Sequence, residues 1–148
     1  MRGSRGGANT DANRRLAMVW GDGDTVRDPS GTTYGRDKQI EQGAAEQIAD
    51  ENSLYTYYKK LIMIRKANPE IARGEYRALS FPGTKLGGFT STWEGSTVCV
   101  LHNTTLNDIT VDVGDLSLSE IRAVAGFGDA VLDGGSLTLG SQTSVVLR

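Results

Sequence analysis

Leu86-Gly87-Gly88-Phe89-Thr90-Ser91-Thr92-Trp93-Glu94-Gly95-Ser96-Thr97-Val98-Cys99-Val100-Leu101-His102 reads as two strands joined by a tight turn, and it decides the fold. Glu94-Gly95-Ser96 supplies the turn, where glycine can take the positive φ that short hairpin loops demand. Val98-Cys99-Val100-Leu101 is apolar at consecutive positions, hence on both faces, which marks a central strand. Outward from this hairpin, short β signals recur at Tyr76–Phe81 on one side. On the other they fall at Ile109–Val113, Ile121–Ala125, Ala130–Leu132, Ser136–Leu139 and Val145–Leu147. Ile109, Val111 and Val113 alternate with polar residues, the pattern of a half-exposed strand, and Asp133-Gly134-Gly135 separates a second hairpin. Six to eight short antiparallel strands over residues 74–148 predict a small β-sandwich, so the fold class is mainly β.

Upstream, the strongest periodic element is Ser53–Lys66, where Leu54, Tyr57, Tyr58, Leu61 and Ile64 recur at steps of three or four and form one apolar stripe. Asp50, Asn52 or Ser53 can cap its start. Lys59, Lys60, Arg65 and Lys66 suit the negative end of the helix dipole, and Asn68-Pro69 stops the helix, which spans about residues 51–67. Such a stripe needs a surface; in the chain by itself it would stay exposed, pair two copies into a dimer, or fold onto the sandwich. Residues 1–50 read mostly as loop, because Gly, Asn and Asp crowd them and only Leu16-Ala17-Met18-Val19-Trp20 is apolar. A short helix over Gln39–Gln47 is the exception, weakened by Gly43. A loop of this length is uncommon in a free-standing domain and is usually functional or a piece of something larger.

The composition agrees with two architectures in one chain. Of 148 residues, 1–74 hold 12 basic and 10 acidic side chains, whereas 75–148 hold 4 and 8; Ser and Thr number 8 and 17 in the same halves. The total, 16 Lys and Arg against 18 Asp and Glu, gives a net charge of −2, which offers no electrostatic footprint for nucleic acid or an anionic membrane. No apolar run reaches the 18 or so residues of a membrane span, and Met1–Gly7 lacks the apolar core of a signal peptide. One cysteine, Cys99, excludes an internal disulfide framework, and one histidine, His102, excludes a multi-histidine metal site. No cofactor or metal is expected.

Candidate chemistry is sparse. Asp22, Asp24 and Asp28 could supply the paired carboxylates of glycoside hydrolysis, but their Gly-rich polar setting has nothing apolar to raise one pKa and favours turn-forming aspartates. The same loop begins like a calcium loop, yet Val26 and Asp28 break the ligand spacing and no Glu closes it. Cys99 lies inside an apolar strand, where a thiol is inert packing, and Ser96 and His102 lack suggested partners. No glycine pattern follows a strand in a phosphate-binding arrangement. Carbohydrate contact remains, because sugar rings stack their C–H faces on flat aromatics: Trp20, Tyr34, Tyr76 and Trp93 could serve.

Four segments together resemble the C-terminal end of the α-amylases of glycoside hydrolase family 13. Arg15-Leu16-Ala17-Met18-Val19-Trp20-Gly21-Asp22 is similar to the family's Arg-Thr-Pro-Met-Gln-Trp stretch after the eighth barrel strand, keeping Arg, Met and Trp at their spacing. Ser53–Pro69 resembles the last helix of the (β/α)8 barrel, with its Leu61-Ile62-Met63-Ile64-Arg65-Lys66 core. Ile71-Ala72-Arg73-Gly74-Glu75-Tyr76 is similar to the link into the C-terminal domain. Val98–Thr104 resembles that domain's strand ending in Asn, and Ser136–Leu147 its closing hairpin.

The resemblance implies a division at residues 73/74. Residues 1–73 would be the end of a catalytic barrel, with a rim loop over 1–50 and the last helix over about 51–67, and residues 74–148 an all-β C-terminal domain. It implies substrate contact in the parent enzyme through Arg15, Met18 and Trp20, although Val19 stands where the family has Gln. The family's nucleophilic Asp, acid Glu and stabilising Asp follow the fourth, fifth and seventh barrel strands, and all fall upstream of Arg2. No catalytic residue is therefore expected here, and the sandwich would stabilise the remainder of the barrel, its partner in the parent. A parent acting on α-1,4-glucans and possessing an upstream signal peptide would be secreted. The alternative is a starch-binding sandwich that stacks α-glucan on Trp93 or Tyr76.

Overall fold

The computed structural model describes residues 10–21, 24, 26–33 and 42–148, so Asp22 and Tyr34 lie outside the described residues. The chain divides into two units, Met1–Tyr58 and Lys59–Arg148. The second holds eight strands: β1 (Glu75–Ser80), β2 (Leu86–Trp93), β3 (Ser96–Asn103), β4 (Ile109–Asp112), β5 (Ile121–Gly126), β6 (Ala130–Asp133), β7 (Ser136–Leu139) and β8 (Thr143–Leu147). Every expected strand is present, its ends shifted by two residues at most. They form a five-stranded sheet in the order β1-β2-β3-β8-β5 and a three-stranded sheet in the order β4-β7-β6, paired antiparallel throughout. The fold is the mainly antiparallel β architecture that the sequence predicts.

The two-residue period of a strand explains why β3 is apolar on both faces. Cys99 and Leu101 join Val145 and Leu147 of β8 in a core shared with Val111, Leu137 and Leu139 of the second sheet. Val98, Val100 and Val146 point to the opposite face beside Phe89 and Ala123, and there Ile64 and Ile71 cover them. Each leucine fully withdrawn from water contributes roughly 1.5–3 kcal/mol. Both hairpin turns fall where the sequence puts them. Glu94 (φ 49°) and Gly95 (φ 78°) turn β2 into β3, and Gly134 (φ 53°) and Gly135 (φ 87°) turn β6 into β7, the paired positive φ values of a primed turn.

The first unit carries α1 (Thr10–Arg14) and α2 (Ala44–Ala49), and α3 (Leu54–Ala67) follows. No helix was expected at α1, since its Asp and Asn read as turn residues. Asp11 in its first turn and Arg14 in its last nevertheless suit the helix dipole. Buried Asn13 ties it to Thr33, donating from Nδ2 to Oγ1 and accepting the Thr33 N–H at Oδ1, both at 2.9 Å. Helix α2 starts later than the expected Gln39–Gln47, of which residues 39–41 lie outside the described residues.

Helix α3 matches the expected span, and Ser53 caps it by accepting the Thr56 N–H at 3.1 Å. Pro69 ends α3 as expected, but it also opens a further turn, α4 (Glu70–Arg73), since the missing proline N–H is not needed at a helix start. The expected stripe divides. Ile64 packs on the sheet, whereas Leu54 and Tyr58 stay 65% and 58% exposed. Tyr55, Ile62 and Met63 add exposed apolar surface that the stripe did not include.

Candidate functional site

The segment Leu16–Trp20 belongs to neither helix nor strand, so its backbone polar groups must find partners elsewhere. Ala17 N–H donates to Asp28 Oδ1 and Trp20 N–H to Asp24 Oδ2, each at 2.8 Å. The carbonyls of Val19 and Trp20 accept the N–H groups of Ala44 and Ala45 at 2.8 Å, which caps the start of α2. Glycine at 43 permits this approach, because a Cβ there would lie 3.2 Å from the Val19 oxygen and 2.7 Å from the Glu46 carboxylate. Asp24 and Asp28 thus organise backbone, as turn-forming aspartates do.

This ribbon, α2 and the first turns of α3 enclose an open cleft of about 660 Å³. Met18, Trp20, Ile48, Leu54, Tyr55 and Tyr58 give it its character, and among the described residues no carboxylate, histidine or basic side chain lines it. Met18 and Trp20 are 59% and 57% exposed, so the cleft has apolar walls and no lid among the described residues. Of the expected contact residues, Met18 and Trp20 come together here. Arg15 does not line the cleft; it pairs with Asp11 at 2.9 Å, both side chains 71% exposed.

Trp93 lies in the second unit, at the end of β2, half-buried, with the Arg73 guanidinium carbon 5.0 Å from its ring centroid. That cation–π contact occupies one side of the ring. Tyr76 is engaged too: its hydroxyl donates to the Ile71 carbonyl at 2.5 Å, and its ring meets Phe89 edge to face at 4.9 Å.

The chemically loaded cluster of the second unit went unread in the sequence. Glu70, at the start of α4, is 2% exposed. Its Oε1 accepts from Ser96 Oγ and from the Arg148 guanidinium, both at 2.5 Å, and Arg148 also donates to Ser96 Oγ at 2.9 Å. Its backbone carbonyl accepts from Ser91 Oγ at 2.7 Å, while Oε2 is buried without a hydrogen-bond partner. Burial pushes the carboxyl up, but hydrogen bonds from Ser96 and its own backbone and the charge of Arg148 outweigh it and hold the group below the ordinary carboxylate value. A glutamate after a helix-stopping proline carries no signal of this role, because its partners stand 26 and 78 residues away.

Other reactive side chains are inert or engaged. Burial pushes the Cys99 thiol up to about 11, which keeps it protonated packing. His102 Nδ1 lies 2.7 Å from Ser144 Oγ, and burial holds its pKa below the usual histidine value. Among the described residues no three His, Cys, Asp or Glu side chains gather as a metal site, and no helix is long and apolar enough to cross a membrane.

No protein-family model matches the chain. Among curated proteins it is 31% identical over 88 residues to an oligo-1,6-glucosidase of Bacillus sp. (strain F5), a match covering 58% of this chain and 17% of that enzyme. It is 30% identical over 95 residues to the trehalose-6-phosphate hydrolase of Escherichia coli (strain K12), covering 62% and 17%. Among solved structures, Amy13B of Eubacterium rectale superposes with a TM-score of 0.83 at 28% identity, over 99% of this chain and 29% of that one. The trehalulose synthase MutB of Pseudomonas mesoacidophila MX-45 gives 0.61 at 26% identity, over 72% and 20%. The chain spans about a fifth of the length of the curated relatives it matches.

Proposed function

The chain matches the C-terminal part of glycoside hydrolases of family 13, and from that premise we propose that it supplies packing rather than chemistry to an enzyme acting on α-glucans. The observation that carries this reading is the cleft at Met18 and Trp20, whose lining holds no carboxylate among the described residues. Retaining glycoside hydrolysis needs two carboxyl groups about 5–5.5 Å apart, one kept protonated and one ionised. The buried carboxylate of the second unit, Glu70, is held ionised by Ser96 and Arg148, the opposite of a poised acid.

In this reading the exposed apolar residues that α2 and α3 give the cleft, Ile48, Leu54, Tyr55 and Tyr58, and Ile62 and Met63 on α3, are surfaces that the remainder of a catalytic barrel covers. The sandwich supports that barrel through α3, where Ile64 seats on the sheet, and through α4, pinned by Glu70. Met18 and Trp20 then lie at the rim and contact substrate in the assembled enzyme. Pairing of two copies through α3 would use the same apolar surface.

Incubating the purified chain with maltoheptaose and with isomaltotriose tests the reading. No new reducing ends are expected, with a mixed-in active α-amylase as positive control for maltoheptaose and an active oligo-1,6-glucosidase for isomaltotriose. Release of glucose or maltose that copurifies with the chain through two further columns would overturn it.

A further inference from the structure

At the end of the sandwich opposite the Glu94-Gly95 turn, where the β1–β2 loop (81–85) also lies, three loops meet: β3–β4 (residues 104–108), β5–β6 (127–129) and β7–β8 (140–142). Hydrogen bonds lock them together. Gln142 N–H donates to the Thr105 carbonyl at 3.0 Å and its carbonyl accepts the Phe127 N–H at 3.4 Å. Ser141 N–H donates to Asp108 Oδ1 at 3.1 Å, and Gly128 N–H to Thr143 Oγ1 at 2.7 Å. Behind them Asn103, 2% exposed, places Nδ2 within 2.8–3.0 Å of the carbonyls of Asn107, Leu139 and Gly140, and its Oδ1 accepts both the N–H and the hydroxyl of Thr105.

Phe127 stands between two glycines that the packing requires. At Gly126 (φ 136°) a Cβ would fall 2.3 Å from the Gln142 oxygen, and at Gly128 one would fall 2.8 Å from the Gly140 Cα. With the backbone pressed against the β7–β8 loop on both sides, the Phe127 side chain is 89% exposed, and Leu106 on the neighbouring loop is 79% exposed. The tip therefore forgoes burial of a large ring while fixing the backbone that carries it.

We propose that this loop tip is a binding site for α-glucan, with the Phe127 ring as the stacking face for a glucose unit and Leu106 as a second apolar contact. A sugar presents an apolar C–H face and a rim of hydroxyls, and a ring carried on a fixed backbone takes that face at a smaller cost in lost freedom than one on a mobile loop. Asn107, Asp108, Asp129 and Gln142 belong to the same three loops and provide the donors and acceptors that hydroxyls need. A protein partner fits less well: a stable interface withdraws about 800 Å² per partner, and one aromatic supplies at most about 250 Å². The choice of α-glucan rests on the reading of the parent as an α-glucan enzyme.

The test follows backbone amide shifts of the ¹⁵N-labelled chain during titration with maltoheptaose. The account expects saturable shifts at Thr105, Phe127, Gly128 and Gln142. Phe127→Ala should weaken binding about tenfold or more and Phe127→Tyr restore it to within about threefold. Phe127 is exposed, so the unchanged remainder of the amide spectrum certifies the variant's fold. Absence of shifts at these loops, shifts confined to Trp93 and Tyr76, or equal shifts with cellopentaose would each overturn the site. Concentration-dependent shifts at Phe127 without sugar would overturn it in favour of a second copy of the chain. One-dimensional proton spectra of the same samples register new reducing-end anomeric signals, so unexpected hydrolysis, which would overturn the non-catalytic reading, is distinguished from failure of the tip to bind.

Discussion

Val98-Cys99-Val100-Leu101 and Leu16-Ala17-Met18-Val19-Trp20 are comparable apolar runs, yet their fates are opposite. In β3 three of the four residues are completely buried and the fourth, Val100, is 6% exposed; in the ribbon of the first unit Met18 and Trp20 are more than half exposed. β3 is paired on both sides, and the ribbon too has backbone groups of Ala17, Val19 and Trp20 bonded, so the plainer difference lies in side-chain cover. The cover of β3 comes from elements within the same unit: the second sheet on one face, Ile64 and Ile71 on the other. Among the described residues nothing comparable covers the ribbon. An apolar run states that a cover is needed and is silent on where the cover lies.

Substitutions can widen or erase this contrast. Leu101→Ala, at a fully buried position in the inter-sheet core, is expected to cost about 2–5 kcal/mol, read as a lowered urea midpoint with unchanged slope. A cost no larger than that of Trp20→Ala would erase the contrast. Arg148→Ala should cost less, about 1–2 kcal/mol. It leaves the buried Glu70 charge with Ser96 and its own backbone N–H, but the Arg148 side chain is 43% exposed and solvent screens the pair.

Glu70→Gln sharpens the same point through pH. Because the folded-state pKa of Glu70 lies below its unfolded value, its ionisation stabilises the chain above the ordinary carboxylate range, and that stability disappears as pH falls through the folded value. The wild-type chain should therefore exceed Glu70→Gln in stability near neutrality, with the gap closing in acid. A gap independent of pH would contradict the ionised assignment. The smallest effect belongs to Trp20→Ala, within about 0.5 kcal/mol in the chain by itself, since its ring has little burial to lose.

Strands and turns were legible because their signals are local: alternation in Ile109–Val113, two-faced apolarity in β3, glycine at the positive-φ turns. The cap of α3 at Ser53 was legible for the same reason. The Asn and Asp of α1 hid a helix, because those side chains favour turns until a distant partner such as Thr33 claims them. Glu70 was illegible because its partners arrive only when the sheet has folded. Phe127 reads as one more aromatic in a turn; its exposure depends on Gly126 and Gly128 meeting the β7–β8 loop, a contact that spacing along the chain does not encode. At the cleft, the sequence singled out Met18 and Trp20 and missed Tyr55 and Ile48, whose place in the cleft wall depends on where α2 and α3 begin.

Hydrogen exchange on the 148-residue chain, followed residue by residue at neutral pH, tests the asymmetry most directly. The account predicts that amides of Val98–Leu101 and Val145–Leu147 exchange only by global unfolding, while those of Ala17, Trp20, Ala44 and Ala45 exchange by local opening many orders faster despite their hydrogen bonds. Equal protection in the two sets would contradict it, for the first unit would then possess a cover of its own and need no further partner.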